Sequence, residues 1–298
     1  MTTIADRTAT GRIRPKGRRS VSPAYLLLLP GALLVLTLVV IPLLLILRNS
    51  FAISDPLGGD TGGFTLENYR MLFDPVYAKT IGYSLGLALV NCVFCLVVGY
   101  LVAYYISTRS EKVQPVYLLL IIIPFLTDFL VRTFAWINLL GSGGPVVWVL
   151  ETLGIHEGSL VPSGFAVTIS LLYAFLPVAI FPIYASLRAV DPSLREAATD
   201  LGCGWFQTHR RIFVPLARPG IASATMLTFI PTLGVFVIPV LLGGGKDPLV
   251  GNLIVTLFTE FRNEPMGSAL SMVVLALMAL SGLLAMALMK ASNRKKSS

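Results

Sequence analysis

Residues Thr80 to Ile106 read TIGYSLGLALVNCVFCLVVGYLVAYYI, a stretch without one charged side chain. Wound as an α-helix at about 1.5 Å per residue it covers about 40 Å, more than the ~30 Å hydrocarbon core of a bilayer. Lipid offers no partner to backbone polar groups, so only a helix or a closed barrel satisfies them all. Barrel strands alternate in polarity over segments of about ten residues, and this stretch does not alternate. It reads as a membrane-spanning helix.

Working outward, similar apolar spans run from Ala24 to Leu47, Val116 to Asn138, Phe165 to Leu187, Gly220 to Leu242 and Gly267 to Met289. The expected fold is therefore all-α, a polytopic membrane protein with six transmembrane helices. The composition agrees: of 298 residues 55% are hydrophobic and 13% charged, and the mean hydropathy is +0.80. That leaves too little polar surface to cover a soluble globule.

Charge sets the expected orientation. Most of the 23 basic residues lie in four places: the N-terminal segment, the Arg109 and Lys112 loop, the Arg188 to Arg218 connection, and the Lys290 to Lys296 tail. The acids Asp55, Asp60, Glu67, Asp74, Glu151, Glu157, Asp247, Glu260 and Glu264 lie in the alternate loops. By the positive-inside rule both termini are cytoplasmic. The net charge of +8 sits beside helix ends and in no aromatic-interleaved module, so topology and anionic lipid account for it and nucleic acid is not expected as a partner. Residues 1–22 read as a basic, disordered cytoplasmic arm and 23–298 as the transmembrane domain. The first apolar span is too long for a signal-peptide core, so no cleaved leader is expected.

The second outer loop, Gly141 to Gly164, holds an apolar Val146 to Leu150 that suits a short interfacial helix. Pro177 and Pro182 interrupt the fourth span, Pro231 and Pro239 the fifth. A proline removes a donor and kinks a helix, which fits either ordinary packing or a moving, pore-lining segment.

The connection from about 188 to 218 carries the most information. Val190 to Gly220 reads VDPSLREAATDLGCGWFQTHRRIFVPLARPG. Asp191 suits an N-cap, Pro192 the first helical position, and Ser193 with Glu196 the capping box, so a short helix starts here. Gly202 should end it, and a second short helix, Trp205 to Phe213, should stop before Pro215. The small Ala197 and Ala198 leave room for another protein, with Leu194 and Leu201 on one face.

Glu196-Ala197-Ala198, three residues, Gly202, nine residues, then Ile212-Phe213-Val214-Pro215 resembles the EAA-x3-G-x9-I-x-L-P signature of binding-protein-dependent ABC importer permeases, with Val214 in place of the usual leucine. The resemblance implies a cytoplasmic coupling-helix loop between helices four and five, made by Glu196, Ala197, Ala198, Asp200, Leu201, Gly202, Ile212 and Pro215, that docks onto a separate ATPase. Glu196 would be a docking or capping carboxylate and Gly202 the turn. Glu67 to Phe73, Val131 to Trp136, Pro182 to Leu187 and Leu241 to Lys246 are similar to the spermidine/putrescine permeases, and the likeness covers nearly the whole chain from Tyr25. It implies a bacterial inner-membrane complex of two permeases, the second a paralogue, with two ATP-binding-cassette ATPases and a periplasmic solute-binding protein. ATP and magnesium would be held on the ATPase, with no cofactor in this chain.

Other motifs carry less. Gly243-Gly244-Gly245-Lys246-Asp247 lacks the spacing and the hydroxyl of a phosphate-binding loop. Cys92 and Cys95 share a helix face, but the only histidines, His156 and His209, lie in loops on opposite sides, so the thiols read as small hydrophobes and no metal site is expected. Gly82 and Gly86 suit close helix packing. Asp128 is the only acid inside a span, where a charge costs about 2.5–3.5 kcal/mol. It either lines the substrate pathway or pairs with Arg132 four residues on. With Trp136 and Tyr173 it could meet the ammonium groups of a polyamine by charge and cation-π contact. A chain of this kind performs no covalent chemistry; a transporter of other amines, amino-acid-like compounds or phosphonates, a secondary transporter, and a membrane receptor are the rival readings.

Overall fold

The computed structural model describes residues 23–54, 63–191, 193–245 and 248–294. The basic arm expected over 1–22 lies outside them. No β-strand occurs among the described residues. In chain order the helices are α1 (Pro23–Asn49), α2 (Glu67–Met71), α3 (Pro75–Ser107), α4 (Gln114–Phe125), α5 (Phe129–Leu140), α6 (Pro145–Thr152), α7 (Gly164–Arg188), α8 (Ser193–Asp200), α9 (Trp205–Thr208), α10 (Val214–Gly234), α11 (Val237–Gly243), α12 (Val250–Thr259) and α13 (Glu264–Arg294), with a π-helical turn over His209–Phe213 joining α9 to α10. Among the described residues five helical stretches are long and apolar enough to cross a membrane: Pro75–Ser107, Phe129–Thr152, Gly164–Arg188, Trp205–Gly234 and Glu264–Ala287.

The chain divides into two compact units, Met1–Leu45 and Ile46–Ser298. The first holds most of α1, whose side chains at Leu33, Leu34, Val35, Leu36 and Leu38 are exposed apolar surface. The second is built on α3, α7 and α10. Its largest core joins Cys95, Ala103 and Ile106 of α3 to Ala179, Ile180, Ile183 and Leu187 of α7 and to Ala217 and Ala224 of α10. Small residues set the spacing of these helices. A Cβ on Gly99 would stand 3.3 Å from the Ala179 Cβ, and one on Gly220 would run into the Pro182 carbonyl oxygen and stand 2.5 Å from Ser186 Oγ. Such close backbone approach is what small residues permit where lipid supplies no hydrophobic driving force between helices. Polar pairs add register: Asn91 Nδ2 donates to Thr232 Oγ1 at 2.8 Å across the α3/α10 contact, and the Thr228 hydroxyl lies 3.3 Å from Cys92 Sγ.

Three expectations change in detail. The third span, Val116 to Asn138, is two helices. Pro124 lies in the last turn of α4, and the Asp128 carboxylate accepts from the Leu130 and Val131 amides to start α5. The fifth span ends at Gly234 and restarts at Val237; Asn252 Nδ2 of α12 donates to the Phe236 carbonyl at 3.0 Å, which also accepts the Val240 amide at the start of α11. Pro239 falls in the first turn of α11, where a missing donor costs nothing. Helix α12 is a short apolar helix outside the six expected spans, and its entrance is capped from another element, the Val250 amide donating to Ser84 Oγ of α3 at 2.8 Å. The short helix expected at Val146–Leu150 is α6, and it lies within the Phe129–Thr152 stretch that is long and apolar enough to cross a membrane.

Candidate functional site

The connection between α7 and α10 folds as a helix, a glycine turn and a second helix. Asp191 accepts the Ser193 amide at 2.9 Å, so the cap of α8 is Asp191 and not a Ser193–Glu196 box. That amide, with the Ser193 hydroxyl, holds the Asp191 carboxyl below the usual carboxylate range. At the far end the Cys203 amide donates to the Ala198 carbonyl at 2.9 Å, while Gly202 has φ +72°. This is the Schellman arrangement, in which the residue after the cap adopts a left-handed conformation that glycine alone reaches without strain. A Cβ there would meet nothing within 4 Å, so the requirement for glycine is backbone geometry and not space.

The two alanines of the motif have different surroundings. Ala198 is 3% exposed and packs inward, whereas Ala197 is open. Only the second leaves room for a partner. Glu196 and Asp200 are exposed beside it. Around the turn stand Leu194, Leu201, Trp205 and Phe206, with Leu201 82% and Trp205 63% exposed. Large apolar side chains gathered on a polar connection mark a protein contact more than a solvated loop.

The second helix does not stop before Pro215. It runs on through the π-turn into α10, with Ile212 and Pro215 half-buried within it. An α-turn would drive the Pro215 ring into the carbonyl four residues back. The wide turn relieves this, the Val214 amide reaching back to the His209 carbonyl five residues away. The second helix of the loop is thereby continuous with α10.

The π-turn also places a side chain that the sequence reading treated only as a possible metal ligand. His209 is 5% exposed, and its Nδ1 lies 2.7 Å from Tyr100 Oη of α3. Its ring centre is 4.3 Å from Tyr104 and 4.2 Å from Trp205, and Phe213 closes the group 5.3 Å from Tyr104. On the neighbouring α4 side, Tyr184 of α7 donates to Gln114 Oε1 at 2.6 Å while Gln114 Nε2 donates to the Arg109 carbonyl at 2.7 Å. The signal for the His209 group was present as i, i+4 aromatic spacing in two separate stretches, Tyr100 with Tyr104 and Trp205 with His209 and Phe213. Nothing in the sequence said that they meet.

The pathway candidates do not form one site. Asp128 caps α5 with its carboxylate, 2.8 Å from the Leu130 amide. Arg132 turns its guanidinium over rings, 5.1 Å from the centre of Phe125 and 6.0 Å from that of Phe129, and its Nε is buried without a hydrogen-bond partner. Trp136 and Tyr173 do meet, edge to face with centres 5.7 Å apart. Asp128 stands two helical turns from Trp136, about 12 Å along α5. Cys92 and Cys95 are buried free thiols, and no metal-binding cluster occurs among the described residues.

Long apolar helices around an exposed helix–glycine–helix connection define the class: a multi-pass membrane permease subunit of an ABC importer. The model of the binding-protein-dependent transport system inner membrane components matches residues 95–298, and the chain belongs to that family. It is 36% identical over 263 residues to a spermidine/putrescine transport system permease protein of Salmonella typhimurium, covering 87% of this chain and 91% of that one. It is 38% identical to the protein of the same description from Haemophilus influenzae, over 81% and 85% of the two chains. Among solved structures it is similar to a subunit of a bacterial ABC transporter that imports alginate, with a TM-score of 0.75, 17% identity, and coverage of 91% and 95%. That likeness concerns the fold.

Proposed function

We propose that this chain is the permease through which a polyamine, spermidine or putrescine, is imported at the expense of ATP hydrolysed on partner subunits. The observation that carries the cargo is the 36–38% identity, over more than four-fifths of the chain, to permeases of spermidine/putrescine transport systems. Supporting the energy source is the apolar knob of Leu194, Leu201, Trp205 and Phe206, shaped to enter a cleft on an ATPase, with Glu196 and Asp200 at its side. ATP and magnesium belong to that ATPase. The working assembly is two permeases, the second a paralogue, two ATPases and a periplasmic solute-binding protein in the bacterial inner membrane. Six crossings place both termini and the knob in the cytoplasm. Alternating access needs no covalent step; closure of the ATPases moves the knob, and α10, continuous with it, carries the motion into the membrane.

Uptake of labelled spermidine and putrescine into proteoliposomes holding the whole complex tests this, with Gly202→Val as control. A β-branched residue at positive φ strains the turn by about 1–3 kcal/mol, and its Cβ meets nothing within 4 Å. ATP-dependent uptake in wild type, lowered at least tenfold in Gly202→Val, is the expected result. Absence of polyamine uptake, beside ATP hydrolysis stimulated by the binding protein with another solute, overturns the cargo and keeps the importer. Uptake that follows a proton gradient and ignores ATP overturns the class of mechanism.

A further inference from the structure

The α9–α10 unit is attached to the rest of the bundle by a polar contact as well as by packing. Most contacts across the core of α3, α7 and α10 are between apolar side chains, aliphatic and aromatic, and Asn91 Nδ2 to Thr232 Oγ1 already ties α3 to the body of α10. At the inner end of that core Tyr100 and Tyr104, one turn apart on α3, enclose His209 with Trp205 and Phe213. A directed bond, Tyr100 Oη to His209 Nδ1 at 2.7 Å, joins α3 to the π-turn. The phase shift of that turn is what aims His209 and Phe213 at α3, so a local answer to Pro215 creates the connection. A part-buried hydrogen bond of this kind resists sliding because breaking it leaves the buried imidazole short of a partner.

We propose that Tyr100 and His209 form a latch through which movement of the α8–α9 knob is passed directly to α3, a route parallel to the continuous α10. Both act here as positioning residues. The α7 side is fastened differently, by the Tyr184–Gln114 bond to the turn leading into α4. Displacing the knob then acts on α3 through this bond as well as on α10 through the continuous helix. The inference rests on the transport reading given above.

The test uses the complete complex in proteoliposomes and compares labelled spermidine imported per ATP hydrolysed. Tyr100→Phe removes only the hydroxyl. His209→Gln moves the polar atom away from the Nδ1 position, and His209→Asn keeps one close to it. The latch predicts assembled complexes with ATP hydrolysis within about twofold of wild type, import per ATP lowered at least fivefold in Tyr100→Phe and His209→Gln, and recovery to within about twofold in His209→Asn. Packing alone would not separate asparagine from glutamine in this way. Wild-type import per ATP in Tyr100→Phe overturns the latch, and so does a parallel fall of hydrolysis and import, which marks the cluster as support for the docking surface. A wild type that imports no spermidine fails the cargo reading instead. The latch is then read without cargo, from spin labels placed through Thr108→Cys and Gln207→Cys. Their separation stays constant on adding ATP when the latch holds and changes in Tyr100→Phe; identical behaviour of the two overturns it.

Discussion

At the residue scale, Asp128 shows how one side chain changes meaning once its neighbours are known. As the only acid in an apolar span it suggested a cargo contact; the structure gives it a backbone task at the start of α5. The two roles separate by substitution, because asparagine caps a helix about as well as aspartate while alanine costs about 1 kcal/mol. Asp128→Asn should therefore leave thermal stability unchanged and Asp128→Ala lower it, both measured by thermal unfolding in detergent. A pathway role adds a raised KM for import in Asp128→Asn; normal import at limiting substrate ends that idea. Asp191 yields a pH prediction. Its carboxyl is held below its ordinary value by the Ser193 amide, so its contribution to α8 is complete above about pH 4 and is lost as pH falls through the depressed value. Amide hydrogen exchange in α8, corrected for intrinsic rates, should accelerate on acidification below that point and stay flat between pH 6 and 8; Asp191→Ala should abolish the dependence.

At the scale of elements, the bundle is spaced by residues with little or no side chain. Gly220 lies where α10 crosses α7, against the Pro182 carbonyl and Ser186 Oγ. An added methyl there forces the helices apart, and overpacking of this kind costs about 1–3 kcal/mol. Gly220→Ala should lower the unfolding temperature in detergent by several degrees. Gly86, facing open space, is the matched control, and Gly86→Ala should not lower it. Equal effects at the two positions would mean that close α7/α10 approach does not set the spacing. The π-turn is a second element-scale device: it converts what would have been a helix end at Pro215 into a continuous lever.

At the scale of the molecule, the question is orientation. Basic residues gather at both ends, in the Arg109 to Lys112 turn and in the α7–α10 connection, and the positive-inside rule predicts that all four lie on one side of the bilayer. Reporter tags at either terminus should be shielded in intact cells from a probe that does not cross the inner membrane. A cysteine at Glu157, in the acidic loop before α7, should react with it. Labelling of either terminus under those conditions would reverse or break the six-crossing topology.

The apolar periodless runs alone determined that the chain is helical and membrane-borne, because a span is a property of local composition against a fixed bilayer thickness. The Glu196 to Pro215 spacing determined the knob, because caps and glycine turns are decided within a few residues. What only the tertiary structure decided depends on partners distant in sequence. Ser84 begins α12 from more than one hundred and sixty positions away, Asn252 of α12 bonds the carbonyl that starts α11, and Tyr100 meets His209. Each satisfies a polar group whose neighbour is chosen by how helices pack, and local pattern carries no record of that choice.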